Sequence, residues 1–233
     1  MINIRGIVYQ NKIIAKFLGY FATSFQFKLL SFYKESKIVN LIKTIRSEVD
    51  LAFYPYEAYT VYSIALSQSK LDGDMAEVGV YQGGSAKLIS EAKGNKTLHL
   101  FDTFTGLPSL SDVDVHFGIN FWKENDFNNT SQEKVMSYLS KYNNIKIYPG
   151  KFPDTSKPII NSKFSFVHLD VDLYQSTLDS LNFFYPRLIQ GGIIITHDYH
   201  SSGVNKAFKE YFQSKQIPII ELTGSQCMIV KTI

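Results

Sequence analysis

Apolar positions along this chain change their spacing near residue 70. Before that point, Ile13, Ile14, Phe17, Leu18, Phe21, Phe25 and Leu29 recur every three or four residues, with Lys12, Lys16 and Lys28 among them. That period predicts an amphipathic helix. A second helix follows Pro55, a residue suited to a first helical turn, and carries Ala58, Val61, Tyr62, Ala65 and Leu66. Leu71-Asp72-Gly73-Asp74 then marks a turn. Beyond it, short β-branched and aromatic runs predict strands at 75–80, 96–103, 145–148, 164–169, 191–196, 217–222 and 226–231. Helical spacing falls between them at 85–92, 131–142, 173–189 and 203–214. This alternation predicts an α/β fold with a doubly wound, mostly parallel, seven-stranded sheet over residues 71–233, preceded by a helical extension over 1–70. Only Thr223-Gly224-Ser225 separates the last two strands, so they read as a hairpin and the final strand as antiparallel. Residues 106–130 are polar and unpatterned and hold Trp122, the single tryptophan. A segment of that length reads as functional, here as a lid.

Composition narrows the partners. The chain has 233 residues, a formal net charge of +3 and dispersed Lys and Arg, so no basic face for nucleic acid is indicated. Its single Cys227 excludes an internal disulfide framework and multi-cysteine zinc sites, which suits a reducing, cytoplasmic compartment. In the first helix, Lys16, Gln26 and Lys28 interrupt the apolar run before it reaches membrane-spanning length. Three contacts remain open for this helix: its own domain, a second subunit of a homo-oligomer, or a membrane surface.

Chemistry concentrates at predicted strand ends. Asp170 and Asp172 follow the strand at 164–169 two positions apart, so they point the same way if the strand persists that far, and His197-Asp198 follow the strand at 191–196. In an open parallel sheet, ligands bind at that edge. Close carboxylates need a proton or a cation to offset their repulsion, and a divalent cation such as Mg2+ would do so while acidifying a bound hydroxyl. Asp170, Asp172 and His197 are each candidates for the general base. His168 and His99 read as structural, and His200 is open. The first strand-to-helix turn reads Glu77-Val78-Gly79-Val80-Tyr81-Gln82-Gly83-Gly84-Ser85. Tyr81 occupies the position of the second glycine of a dinucleotide fingerprint, which disfavours NAD or FAD. S-adenosylmethionine, which has a carboxylate and no phosphates, tolerates the change. Asp102 lies 23 positions after Gly79, where an acid meets ribose hydroxyls, although a strand-end Asp also serves as a cap.

Taken together, these segments resemble the macrocin O-methyltransferase family of metal-dependent class I methyltransferases, over roughly residues 54–211. The resemblance rests on Ala76 to Ser85, on Phe101-Asp102-Thr103-Phe104-Thr105-Gly106-Leu107-Pro108, on Gly150-Lys151-Phe152-Pro153-Asp154-Thr155, on His168 to Thr177, on Tyr185-Pro186-Arg187-Leu188 and on Gly191-Gly192. It implies a Rossmann-like class I fold and an S-adenosylmethionine-dependent, metal-assisted O-methyltransferase acting on a hydroxyl of a sugar or glycosylated metabolite. It places Glu77, Gly79, Tyr81, Gly83, Gly84 and Ser85 around the methionine part of the cofactor, Asp102 and Thr103 at its ribose, and Gly150, Lys151 and Phe152 near its adenine. Asp170 borders the cofactor and, with His197 and Asp198, forms the implied metal site. His197 stands where family members more often carry an acid.

Overall fold

The structure, a computed structural model, describes residues 11–115 and 119–232. Residues 1–10 of the expected extension and 116–118 of the expected lid lie outside the described residues. Three helices come first: α1 (Lys12–Tyr33), α2 (Ser36–Glu48) and α3 (Pro55–Gln68). Then follow β1 (Asp74–Val78), α4 (Gly84–Ala92), β2 (Leu98–Asp102), α5 (Gln132–Tyr138) and β3 (Ile145–Pro149). After a 3-10 turn at Asp154–Ile159 come β4 (Phe164–Leu169), α6 (Tyr174–Phe184), β5 (Leu188–Thr196), α7 (Ser202–Gln213), β6 (Ile220–Glu221) and β7 (Cys227–Val230). The seven strands form one sheet in the order β3-β2-β1-β4-β5-β7-β6. The five strands β1 to β5 pair in parallel, and β7 runs antiparallel to both β5 and β6. The predicted fold class is thus the observed one, with the reversal at the last strand.

Boundaries differ from the sequence pattern for local reasons. The strand expected at 217–222 shortens to two residues, because Pro218 has no N–H to offer and β6 lies at the sheet edge. α6 stops at Phe184 because Pro186 cannot extend the helical ladder, and β5 starts at Leu188. α5 ends at Tyr138, before the expected 142, and the turn that follows lets Lys141 and Tyr142 reach Glu91.

Each face of the sheet carries its own apolar layer. Phe101, Phe164, Val167 and Leu169 pack with Phe184 of α6 and Phe208 of α7. On the other face Met75, Leu100, Phe166 and Ile195 pack with Leu88 of α4, Ile42 and Ile45 of α2, and Val61 and Ala65 of α3. Helices α2 and α3 therefore share a core with the sheet. β4 is buried along its whole length, Ser165 and His168 included, because both faces of the sheet are covered.

Connections wind outward in both directions from the adjacent strands β1 and β4, so a crevice opens at their carboxyl ends. The two chains touch closely there. Gly79 has φ +84°, and a Cβ built on it would lie 1.9 Å from the Asp170 carbonyl oxygen. Gly79→Ala should therefore lower the unfolding free energy by roughly 3 kcal/mol or more, by combining backbone strain with a clash. Gly94→Ala, at φ +61° with nothing within 4 Å, should lose about 1 kcal/mol. Urea unfolding of the two variants checks this; equal losses would remove the close approach as a constraint.

Candidate active site

Five parallel strands end at this edge, and four of them are followed by a residue that is not glycine yet has positive φ: Tyr81 (51°) after β1, Phe104 (55°) after β2, Asp172 (59°) after β4 and Asp198 (54°) after β5, while β3 is followed by Gly150. Such conformations are uncommon for residues with a Cβ and cluster at functional sites. They turn the chain sharply and aim side chains into one cavity of about 700 Å3, a size ordinary for a small-molecule site. The backbone ladder persists just past the strands and fixes the register: Gly79 N donates to Phe101 O, Gly150 N to Asp102 O, Asp170 N to Val78 O and His197 N to Leu169 O.

One end of the cavity is lined by Gly79, Tyr81, Asp102, Thr103, Gly150, Lys151 and Phe152. The Asp102 carboxylate organises this end. Its Oδ2 accepts from Val80 N at 2.7 Å and Tyr81 N at 2.8 Å, and its Oδ1 accepts from Phe104 N at 2.7 Å. It caps two turns at once and still faces the cavity. Glu77, Gly83, Gly84 and Ser85, also expected around a cofactor, lie outside the lining. Glu77 is fully buried, and its Oε1 lies 2.7 Å from His168 Nδ1. Burial drives the Glu77 carboxyl well above its usual range and the His168 imidazole down to about 4, so the two form a neutral pair across β1 and β4. Gly83 faces Val135 and Tyr138 of α5, and Gly84 packs so tightly that a Cβ would lie 2.9 Å from Leu51.

The other end holds Asp170, Asp172, His197, Asp198 and His200. β4 stops at Leu169, so Asp170 and Asp172 do not share a face by strand alternation. The positive φ of Asp172 instead brings it to Asp198, with which it shares a hydrogen bond. His197 sits among carboxylates: Nδ1 lies 2.8 Å from Asp198 and 3.3 Å from Asp170, and Nε2 lies 3.5 Å from Glu57. Phe53 stacks on the same ring at a centroid distance of 4.6 Å.

Sequence reasoning missed Glu57. It enters from α3, where its Oε2 accepts from Tyr54 N at 2.8 Å in a capping box. Its Oε1 accepts from Ser225 N and Ser225 Oγ, each at 2.7 Å, in the β6–β7 turn. Gly224 is needed beside it, since a Cβ there would lie 2.5 Å from Oε1. The Pro55 and Glu57 spacing was a visible helix-start signal; the contact with His197 had none.

Charge sets the protonation pattern of this cluster. Burial opposes a charge on His197, but Asp198 and Asp170 outweigh it and raise the imidazole well above its usual value. Burial likewise works to raise Asp198 and Glu57, and His197 overrides it in both, lowering Asp198 and bringing Glu57 down to about 2. Asp172 is raised well above the carboxylate range by burial, then by Asp198 and Asp170. The result is an imidazolium among three carboxylates, with a neutral Asp172 donating to Asp198. Asp170 has the most exposed side chain of the acids and is 22% accessible. Among the described residues, Asp170, His197 and Asp198 offer ligand atoms within 4.8 Å of one another.

The segment predicted as a lid forms the cavity's third wall, with Gly106, Leu107, Pro108, Phe121, Trp122 and Phe127 lining it. Tyr81, Phe127, Trp122 and Phe121 make a run of rings with successive centroid distances of 5.2, 5.7 and 4.8 Å. Asp114 pins the segment by accepting from Tyr174 N at the start of α6 at 2.7 Å.

This chain matches the family model described as macrocin-O-methyltransferase (TylF) over residues 61–225. A curated relative from Streptomyces olivaceus, 8-demethyl-8-(2,3-dimethoxy-alpha-L-rhamnosyl)-tetracenomycin-C 4'-O-methyltransferase, is 29% identical over 167 residues, covering 66% of this chain and 64% of its own. Mycinamicin III 3''-O-methyltransferase of Micromonospora griseorubida is 30% identical over 152 residues, covering 60% of each chain. The chain thus matches less than two thirds of the length of these relatives. Among solved structures, the O-methyltransferase NovP superposes with a TM-score of 0.62 at 22% identity over 76% of this chain and 80% of its own. CalS11, a calicheamicin methyltransferase, gives 0.65 at 15% identity over 85% and 94%. At such identities the two structures speak for the fold, a class I methyltransferase sheet. The family match is more specific, since it runs from α3 to the Ser225 turn and includes both ends of the cavity; the chain belongs to the macrocin-O-methyltransferase (TylF) family.

Proposed function

We propose that this protein is an S-adenosylmethionine-dependent O-methyltransferase acting on a hydroxyl of a sugar or glycosylated small molecule. The observation that carries the reading is the meeting of two unlike half-sites in one cavity. A glycine turn with an acid at the next strand end faces a cluster of Asp170, Asp172, His197 and Asp198. The relative from Streptomyces olivaceus is named as an O-methyltransferase of a rhamnosyl-tetracenomycin, and that name supports the acceptor class.

In this reading Gly79, Tyr81, Asp102, Thr103, Gly150, Lys151 and Phe152 hold the cofactor, with Glu77 and Gly83 to Ser85 supporting the turn from behind. Asp102 has acceptor capacity left beyond its three N–H partners, enough for a ribose hydroxyl. S-adenosylmethionine supplies, when bound, an electrophilic methyl group. The protein's part is to align the acceptor and take its proton, which is where much of the rate arises in such reactions. Of the three candidate bases, Asp172 is neutral and His197 already holds a proton on each ring nitrogen. That leaves Asp170, which faces the cavity. The aromatic wall from Phe121 to Tyr81 excludes water and offers an apolar face for a sugar ring.

The donor set of Asp170, His197 and Asp198 fits a divalent cation that accepts mixed oxygen and nitrogen ligands, with the imidazole favouring a softer ion than Mg2+. Asp170, His197 and Asp198 would hold such a cation, which would supply Lewis acidity toward the acceptor hydroxyl; in that state the His197 ring would be neutral. Tyr54 and Glu57, from the start of α3, complete the acceptor end, and the cytoplasm, where S-adenosylmethionine is made, is the fitting compartment.

Calorimetric titration with S-adenosylmethionine tests the reading first: the folded protein should bind it, and no detectable heat or protection would sink the assignment. Asp170→Asn should lower kcat by about 100-fold or more on a methyl-accepting saccharide while cofactor affinity stays within about threefold. Activity that survives both a chelator and Asp198→Asn removes the metal from the mechanism. Glu57 gives a pH signature. Its lowered carboxyl contributes stability that is complete above the unfolded value of 4.5 and is lost as pH falls toward about 2. The contribution is on the order of 3 kcal/mol. The stability gap between the native protein and Glu57→Gln should therefore be widest near neutral pH and narrow through that window; a gap constant with pH would show that Glu57 is not an ionised partner of His197.

A further inference from the structure

Helix α1 is mounted with its bulky apolar side outward. Its inner side seats it on the rest of the protein through Gly19, Gln26, Leu30 and the half-buried Phe27, which packs against the core. Gly19 faces the Tyr54 hydroxyl, Gln26 Oε1 accepts from Tyr56 N at 3.1 Å, and Leu30 is the one residue of the helix described as buried. On the outer side, Ile13, Phe17, Leu18, Phe21, Phe25 and Phe32 are between 50% and 83% exposed. Three- and four-residue spacing places most of them along one stripe. Scattered exposed apolar residues are normal, but a continuous stripe of this kind marks an interaction surface.

Charge selects the partner. The first 34 residues contain Arg5, Lys12, Lys16, Lys28 and Lys34 and no Asp or Glu. Lys16 and Lys28 are exposed on α1 itself. A second copy docked stripe to stripe would bring two helices of the same sign together with no acid on either to pair. No helix among the described residues is long and apolar enough to cross a membrane. A helix with aromatic and aliphatic residues on one side, Lys16 at the margin, Lys28 among them with a stem long enough to reach the headgroups, and no acids matches a surface that is apolar below and anionic at its face.

We propose that α1 is an interfacial helix that docks this protein on an anionic lipid bilayer, lying in the headgroup layer with Phe17, Phe21 and Phe25 inserted. The helix rests against the segment that carries Tyr54, a residue of the cavity wall, so docking would hold the cavity beside the bilayer surface. The inference does not depend on the methyl-transfer reading, because its test measures lipid binding.

The test is flotation of the full chain with vesicles of phosphatidylglycerol and phosphatidylcholine, and with vesicles of phosphatidylcholine alone. Partition onto the anionic vesicles should be at least about tenfold stronger and should fall steeply as salt is raised toward 0.5 M. Phe17→Ser/Phe21→Ser/Phe25→Ser should lower it by about tenfold or more. Lys16→Gln/Lys28→Gln, at exposed positions that leave the packing intact, should lower it by at least about threefold. Thermal melts by circular dichroism confirm that the variants fold, and the lysine variant decides the matter if the triple variant does not. Absence of flotation, or equal partition onto both vesicle types, overturns the proposal. So does a lipid-free dimer in sedimentation velocity that the phenylalanine substitutions convert to monomer, since a second copy would then be the occupant.

Discussion

Carboxylates crowded at the ends of β4 and β5 set the terms for the rest of this site. Asp170, Asp172 and Asp198 arrive there because parallel strands deliver their carboxyl ends to the same edge, and Glu57 adds a fourth acid from α3. Buried like charges at such distances repel strongly unless protons or a cation intervene. Two protons resolve it. One sits on Asp172 and is shared with Asp198, and the other makes His197 an imidazolium reached by Asp170, Asp198 and Glu57. The arrangement reaches beyond the sheet. Through Glu57 the same charge ties α3 and the β6–β7 turn to the site, and through Phe53, which contacts the rings of both His197 and His168, it meets the buried Glu77 pair.

Backbone geometry makes that crowding usable. Gly79 allows the β1 turn to rest against Asp170, so the glycine turn and the acids share one cavity wall. Asp102 holds the same turn from the other side through Val80 and Tyr81. The Asp102 end and the Asp170 end of the cavity are thus positioned by the same few backbone contacts. That explains why strained φ values gather at this edge and not elsewhere in the central strands.

Much of this was legible in the sequence because it is local. Alternating strand and helix patterns define a doubly wound sheet, the Thr223-Gly224-Ser225 spacer defines the reversal, and acids just past a β-branched run lie at a strand end whatever the neighbours are. What failed to show was anything that depends on register between distant segments. Glu77 looked like part of a ligand-binding turn, yet its side chain faces His168 across the sheet, a pairing fixed only when β1 aligns with β4. Glu57 went unread: Pro55 marked the helix start locally, whereas the contact of Glu57 with His197 spans the fold. Alternation also gave the wrong reason for the closeness of Asp170 and Asp172, since the strand ends before them and a left-handed turn does the work.

The central claim is that His197 is the cation around which the acids are organised. Nitrogen-15 NMR of the protein labelled in its histidine rings, prepared free of metal at neutral pH, tests it most directly. The account predicts that both ring nitrogens of His197 carry a proton. A ring with one unprotonated nitrogen under those conditions would contradict it.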